Sequence, residues 1–95
     1  MADADVRCVG PVLISGVCAD AVVSAIRAEN SVVRVLTQAG YLRVLVPERC
    51  QVSVSSIERA LGRPFVLPRD LELIMPSFKG KLSVTCANAV WEASH

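Results

Sequence analysis

The spacing of apolar residues changes from strand-like to helical and back to strand-like twice along this chain. This repeated order restricts the folds that the chain can adopt. Alternating or β-branched runs predict strands, whereas apolar residues three and four positions apart predict helices. In the first half, residues 9–14, 32–37 and 41–46 are strand-like, and residues 18–30 have the helical spacing. The face of that helix expected to be buried comprises Ala19, Val22, Val23 and Ile26.

The second half repeats the order strand, helix, strand, strand. Its predicted strands are residues 51–54, 71–75 and 81–86, followed by a last short strand at 89–93, and its short helix covers residues 55–61. We therefore predict an α+β fold made of two consecutive β-α-β-β units, at about 9–47 and 50–93, with small sheets and one helix each. Residues 1–8 are predicted to be a flexible tail that precedes a single domain, 9–95.

Individual residues predict where the second helix begins and ends and where a hairpin loop lies. Ser55 and Glu58 have the spacing of a capping box, with Ser55 as the N-cap of the second helix. Gly62 is expected to end that helix, and Pro64 prevents it from continuing. Residues 38–40 end in glycine, which predicts a three-residue hairpin loop with a bulge.

The composition predicts one small domain with an aliphatic core. Hydrophobic residues make up 53% of the 95 residues but aromatic residues only 4%, so the core must consist mainly of Val, Leu, Ile and Ala. The net charge is +1, and basic residues do not cluster as they do in nucleic-acid-binding proteins. The chain also lacks an apolar stretch long enough for a membrane span. A cytoplasmic location with no nucleic-acid or membrane partner is expected.

Residues that could support catalysis or metal binding are scarce. The one histidine is His95, and no nucleotide-binding glycine motif is present. Four cysteines, at Cys8, Cys18, Cys50 and Cys86, form no C-x-x-C pair and are predicted to be reduced structural thiols, with Cys86 on the inward side of its strand. We therefore predict no cofactor, no metal and no catalytic residue. A globular chain without such groups is expected to act by binding a partner.

Several ordered segments resemble the effector (coupling) proteins of bacterial multicomponent di-iron monooxygenases, the family that serves phenol, toluene, alkene and methane monooxygenases. The resemblance covers about residues 9–92. Its segments are VGPV at 9–12, AVVSAIRAEN at 21–30, YLRV at 41–44, IERALGRPF at 57–65 and LELIMPSFKGK at 71–81.

The resemblance implies a regulatory component that is not an enzyme. Such an effector docks on the hydroxylase near its carboxylate-bridged di-iron site, alters the helices that line the site, and promotes O₂ activation. It thereby couples the consumption of NADH to the hydroxylation or epoxidation of a hydrocarbon. Electrons from NADH reach the hydroxylase through a reductase and, in some systems, a Rieske ferredoxin. The effector itself holds no metal. The short tail favours the toluene, phenol, isoprene or alkene type.

A docking surface can be predicted from the residue types that dominate protein interfaces, which are aromatic residues and arginine. Tyr41 and Arg43 should point away from the core of their strand, Arg63 lies beside a rigid proline, and Phe78 lies in a predicted turn. The predicted partner-binding residues are Tyr41, Arg43, Arg63, Met75, Ser77, Phe78 and Lys79.

The sequence leaves some alternatives open. Phe78 and Trp91 could each be core residues or interface anchors, and Phe65 is expected in the core. A small-ligand-sensing domain of ferredoxin-like type is the alternative function, and a thiol enzyme is a third.

Overall fold

Ten helices and strands make up residues 7–93, the part of the chain that the computed structural model describes. Their order is β1 (Cys8–Ile14), α1 (Val17–Glu29), β2 (Arg34–Gln38), β3 (Tyr41–Pro47), β4 (Arg49–Ser53), α2 (Val54–Leu61), α3 (Arg69–Ile74), β5 (Ser77–Lys79), β6 (Lys81–Val84) and β7 (Asn88–Glu92). The predicted α+β class is confirmed. Cys8 opens β1 and is not part of a tail, and residues 1–6 lie outside the described range.

The strands form two antiparallel sheets that interlock the two halves of the chain. The four-stranded sheet has the order β2-β3-β1-β5, and the three-stranded sheet has the order β4-β7-β6. Strand β5 belongs to the second half by sequence but pairs with β1, so that Gly10 lies opposite Lys79 and Val12 opposite Ser77. The halves are therefore not separate units with one sheet each.

One continuous core lies between the helices and both sheets. Helix α1 packs against α2 and β4, and β1 also contacts β4 and β7. The predicted core residue Phe65 is buried, and so is Trp91, which decides the open alternative for Trp91 in favour of the core. The remaining buried apolar residues include Val9, Leu13, Ala19, Val22, Ala25, Ile26, Val44, Val46, Cys50, Val52, Ile57, Leu67, Leu71 and Ala89.

The prediction of a strand at residues 71–75 is wrong, because these residues lie largely in helix α3. The Asp70 carboxylate accepts a hydrogen bond from the backbone N–H of Val66 at 2.7 Å, which fixes the chain just before the helix. This bond and the Arg69 side chain hold the pKa of Asp70 below its ordinary value. Leu71 is buried while Leu73 is 70% exposed, so the apparent alternation did not reflect two faces of a strand.

The N-cap of the second helix lies two residues before the predicted position. Ser53, not Ser55, is the N-cap of α2, and its hydroxyl oxygen accepts a hydrogen bond from the backbone N–H of Ser56 at 3.2 Å. Glu58 instead accepts a hydrogen bond from the backbone N–H of Phe65 at 2.9 Å, which ties down the loop after the helix. Gly62 adopts the left-handed conformation at the C-cap, as predicted.

Two further turns differ from expectation. Gln38 pairs directly with Tyr41, so the β2–β3 loop has two residues, Ala39 and Gly40, both with positive φ, and no bulge. Strand β6 ends at Val84, which leaves Cys86 exposed in the following turn and not directed inward.

A polar junction joins the end of α1 to the start of the second half. The backbone N–H and the hydroxyl of Ser53 both donate to Oε2 of Glu29, each at 2.8 Å. Asn30 donates to the carbonyl of Gln51 at 2.8 Å and accepts from its N–H at 3.2 Å. Although partial burial raises the pKa of Glu29, hydrogen bonds from Ser56 and Ser53 outweigh it and hold that pKa below its ordinary value.

The chain passes from the first sheet to the second at Gly80. Its φ is 102°, and a Cβ atom there would lie 2.7 Å from Cγ1 of Val9 and 2.9 Å from the carbonyl oxygen of Glu92. Val9 belongs to β1 of one sheet and Glu92 to β7 of the other. Gly80 therefore lies in close contact with both sheets.

We expect Gly80→Ala to destabilise the protein by about 2 kcal/mol more than Gly40→Ala. Both positions have positive φ, but nothing lies within 4 Å of a Cβ at Gly40. The difference in destabilisation between the two variants therefore measures the steric conflict of a Cβ atom at Gly80 with Val9 and Glu92. Urea unfolding followed by circular dichroism measures it, and equal midpoints for the two variants would contradict the close approach.

Glu29→Gln is expected to lower the free energy of unfolding by about 1 kcal/mol at pH 7, because a charged acceptor of two Ser53 hydrogen bonds is lost and the site is partly exposed. The folded-state pKa of Glu29 is lowered. Its contribution is thus present above the unfolded-state pKa and is lost as the pH falls through the folded-state pKa. Chemical denaturation at pH 7 and at pH 3 tests this, with exposed Glu72→Gln as the control. A difference that persists unchanged in acid would exclude the charge as its source.

Candidate docking surface

The outer face of the four-stranded sheet is open to solvent. Along β3, Leu42, Val44 and Val46 are the more buried residues, whereas Tyr41 and Arg43 are exposed, as predicted from strand alternation. Paired residues in an antiparallel sheet point to the same side, so the register identifies the neighbours of Tyr41 and Arg43. We call this outer side the open sheet face.

Cross-strand pairing arranges the open sheet face in three rows. The first row contains Gln38, Tyr41 and Ile14. The second row contains Leu36, Arg43, Val12 and Ser77. The third row contains Arg34 opposite Leu45, and Lys79 opposite Gly10.

Large apolar side chains are unusually accessible on this face. Ile14 is 45%, Leu36 41% and Tyr41 45% exposed. They adjoin the partly buried Val12 and Leu45. Single exposed apolar residues are ordinary, but a contiguous group on one sheet marks a candidate interaction surface.

All ionised side chains in these three rows are cationic. Arg34, Arg43 and Lys79 are exposed, and within residues 7–93 none of them forms an ion pair. Since the whole chain has a net charge of +1, the rest of the chain is net negative. An apolar patch with unpaired cations and no carboxylate is complementary to an apolar surface that carries acidic residues.

Two shallow grooves cross the open sheet face. One is lined by Val12, Gln38, Tyr41, Arg43, Pro76 and Ser77. The other has a volume of about 150 Å³ and is lined by residues that include Gly10, Arg43, Leu45, Ser77 and Lys79. They share Val12, Arg43 and Ser77, so the two grooves adjoin over β1, between β3 and β5.

The structure brings together four of the seven residues predicted to bind a partner, namely Tyr41, Arg43, Ser77 and Lys79. Phe78 pairs with the buried Pro11 and so lies on the other side of β5, although 44% of it is exposed at the sheet edge. It is not a fully buried core residue. Met75 is partly buried and packs against the core.

Arg63 lies beyond one end of the open sheet face. Its Nη2 is 3.8 Å from Sγ of Cys18, near the start of α1. The β1–α1 turn connects this position to the β2–β3 hairpin, because the N–H of Ser15 donates to the carbonyl of Gly40 at 2.9 Å. Arg63 is therefore separated from Tyr41 by that turn.

Sequence reasoning did not include Ile14, Leu36, Arg34, Val12 and Leu45 in the docking surface. Alternation along β1 and β2 already contained the signal, since outward positions follow every second residue. What the sequence could not supply was the strand order, which places these residues beside Tyr41 and Arg43.

Chemical groups suited to catalysis are not assembled in the described region. Residues 7–93 contain no group of three or more His, Cys, Asp or Glu side chains placed to hold a metal ion. Burial raises the pKa of the Cys50 thiol to about 12, which makes it a poor nucleophile. No helix in this range is long and apolar enough to cross a membrane.

The fold and the open sheet face define a small α+β domain with the features of a protein-docking module. The MmoB/DmpM family model matches residues 7–92, and this chain belongs to that family. It is 41% identical over 91 residues to the effector subunit of the alkene monooxygenase system of Xanthobacter autotrophicus (strain ATCC BAA-1158 / Py2), covering 94% of this chain and 89% of the relative.

The fold also matches a solved structure. The similar chain comes from a phenol hydroxylase–regulatory protein complex, with a TM-score of 0.82, 16% sequence identity, and coverage of 93% of this chain and 100% of that chain. The resemblance noted in the sequence is thus confirmed, as is the prediction of a regulatory rather than catalytic component of a monooxygenase. The relatives do not support the ligand-sensing alternative or a thiol enzyme.

The four free cysteines should differ sharply in reactivity. Cys86 is exposed in a turn, whereas Cys50 is buried and has a raised pKa. We expect iodoacetamide at pH 8 to label Cys86 first and to label Cys50 only after unfolding. Mass spectrometry over time measures both rates, and Cys86→Ser removes the fast reaction as a control. Labelling of Cys50 in the native protein as fast as Cys86 would contradict the packing.

Proposed function

We propose that this protein is the effector component of a multicomponent monooxygenase and docks on the di-iron hydroxylase through the open sheet face. It makes no bond itself. It promotes O₂ activation by the hydroxylase and couples NADH use to hydroxylation or epoxidation of a hydrocarbon. Membership of the MmoB/DmpM family and the similarity to an effector subunit support this role.

The observation that carries the proposed docking surface is the open sheet face itself. It combines accessible Ile14, Leu36 and Tyr41 with three cations that have no intramolecular ion pair among residues 7–93. The partner surface proposed for it consists of helices that cover the di-iron site and that present apolar and acidic side chains. Phe78, Met75 and Arg63 are proposed to add contacts or support at the edges of this surface.

The mechanism that we propose is a shift of the hydroxylase population. A bound protein can change a conformational equilibrium only by its difference in affinity for the two states. The effector would therefore bind best to the hydroxylase conformation that is competent for O₂ chemistry. A rigid sheet suits this task, because little conformational entropy is lost when it docks.

The rest of the system follows from the same proposal. A reductase, and in some systems a Rieske ferredoxin, supplies electrons from NADH to the hydroxylase. This chain does not carry electrons. The relative belongs to an alkene monooxygenase system, which supports an alkene or a related hydrocarbon as the substrate. We also propose that the complex works in the cytoplasm, where NADH is available and thiols stay reduced.

Tyr41→Ala and Arg43→Ala are each expected to weaken binding to the hydroxylase by about 2 kcal/mol, roughly thirtyfold in Kd. Arg43 lies in the middle row of the proposed surface and Tyr41 in the row beside it, and both are exposed, so the fold should be retained. Titration of each variant into hydroxylase plus reductase measures the half-saturating concentration and the ratio of product formed to NADH consumed.

Matched controls are available on helices outside the open sheet face. Arg59 is exposed on α2, and Leu73 is exposed on α3. Arg59→Ala and Leu73→Ala should saturate at wild-type concentrations with wild-type coupling. If the two controls weaken stimulation while Tyr41→Ala and Arg43→Ala do not, the docking face is the helical side and the present assignment is wrong.

A further inference from the structure

We propose that the open sheet face contains a carboxylate seat: a depression over Gly10, between Arg43 and Lys79, that receives an Asp or Glu side chain of the hydroxylase. This inference rests on the proposed function, which supplies the partner. It adds a specific chemical requirement, namely one acidic side chain inserted at one position of the sheet.

Gly10 lines the depression, and no side chain projects into it from that position. Gly10 has a φ of 146°, and a Cβ atom built there would collide with the carbonyl oxygen of Val44 on the neighbouring strand. A larger residue is therefore excluded by the backbone, and the floor of the depression is fixed by the fold. The surrounding side chains leave a volume of about 150 Å³.

The rim of the depression is suited to an anion. Lys79 is paired with Gly10 itself, and Arg43 is paired with Val12, two residues along the same strand. The exposed Ser77 also lines the depression. An arginine, a lysine and a hydroxyl around one depression can all donate hydrogen bonds to a carboxylate.

The charges at the rim are uncompensated inside the protein. Among residues 7–93, neither Arg43 nor Lys79 forms an ion pair with any of the seven acidic side chains. Four of the seven are engaged elsewhere: Glu29 with Ser53, Glu58 with Phe65, Asp70 with Val66 and Glu92 with Arg49. An uncompensated pair of cations on a face that becomes buried would oppose docking unless the partner supplies negative charge.

A partner side chain suits the depression better than a free anion. Apolar Val12 and Leu45 lie beside the cations, and Ile14, Leu36 and Tyr41 extend the apolar surface around them. Covering these residues with a protein surface excludes water, which strengthens the ion pair at the centre. The carboxylate would thereby fix the position of the effector on the hydroxylase.

Two neighbouring lysines allow a direct test. The chain has only Lys79 and Lys81, on either side of Gly80. Lys79 lies on the open sheet face opposite Gly10, whereas Lys81 lies in the other sheet opposite Glu92. A water-soluble carbodiimide joins an amine to a carboxylate that touches it. Treatment of the effector–hydroxylase complex is expected to give an amide between Lys79 and one hydroxylase Asp or Glu, identified by mass spectrometry.

Matched variants separate contact from charge. Lys79→Arg keeps the charge but removes the reactive amine, so binding should persist within about threefold while the cross-link disappears. Lys81→Arg should keep the cross-link. Lys79→Glu reverses the charge at the proposed contact and should raise Kd by roughly tenfold or more, which corresponds to about 1.4 kcal/mol. Lys81→Glu should not raise Kd in this way.

The outcomes distinguish this inference from the function on which it rests. If wild-type effector forms no complex with the hydroxylase and does not stimulate it, the proposed function fails. If the complex forms and stimulates turnover, but the cross-link is at Lys81 or Lys79→Glu binds like wild type, the carboxylate seat is wrong and the function stands. Inorganic phosphate or acetate that competes with hydroxylase at low millimolar concentration would show a free-anion site instead.

Discussion

The chain leaves the first sheet and enters the second across one residue at two places, at Glu48 between β3 and β4 and at Gly80 between β5 and β6, and the tighter constraint on residue type lies at Gly80. Only a residue without a side chain fits between Val9 of one sheet and the Glu92 carbonyl of the other. This passage lets β5 pair with β1 while β6, which follows immediately, pairs with β7. The two halves are therefore held together by backbone pairing as well as by the shared core.

The same crossing creates the docking surface. Without β5, strand β1 would be an edge strand, and Arg43 and Val12 would have no neighbour on that side. With β5 in place, Ser77 and Lys79 complete the second and third rows of the open sheet face. A constraint that stabilises the fold thus also supplies part of the surface that we propose for recognition.

Acidic and basic side chains have different roles in this protein. Several carboxylates accept backbone hydrogen bonds, including Glu29 at the junction of the halves, Glu58 after α2 and Asp70 before α3. The cations Arg34, Arg43 and Lys79 have no such internal partner among residues 7–93. Because the acids are held by the fold, the open sheet face is left positively charged, and a partner can compensate it.

The sequence by itself determined the fold class, the inward and outward residues of β3, the core position of Phe65, and the family. These depend on local periodicity, on residue size and on ordered motifs. It did not determine α3, where a hydrogen bond from Val66 to Asp70 and the burial of Leu71 overrode an apparent alternation. Nor did it determine which side of β5 carries Phe78, or that Ile14 and Leu36 lie beside Tyr41 and Arg43. Those relations depend on strand order and register, which are set by contacts between residues far apart in the chain, and only the tertiary structure contains them.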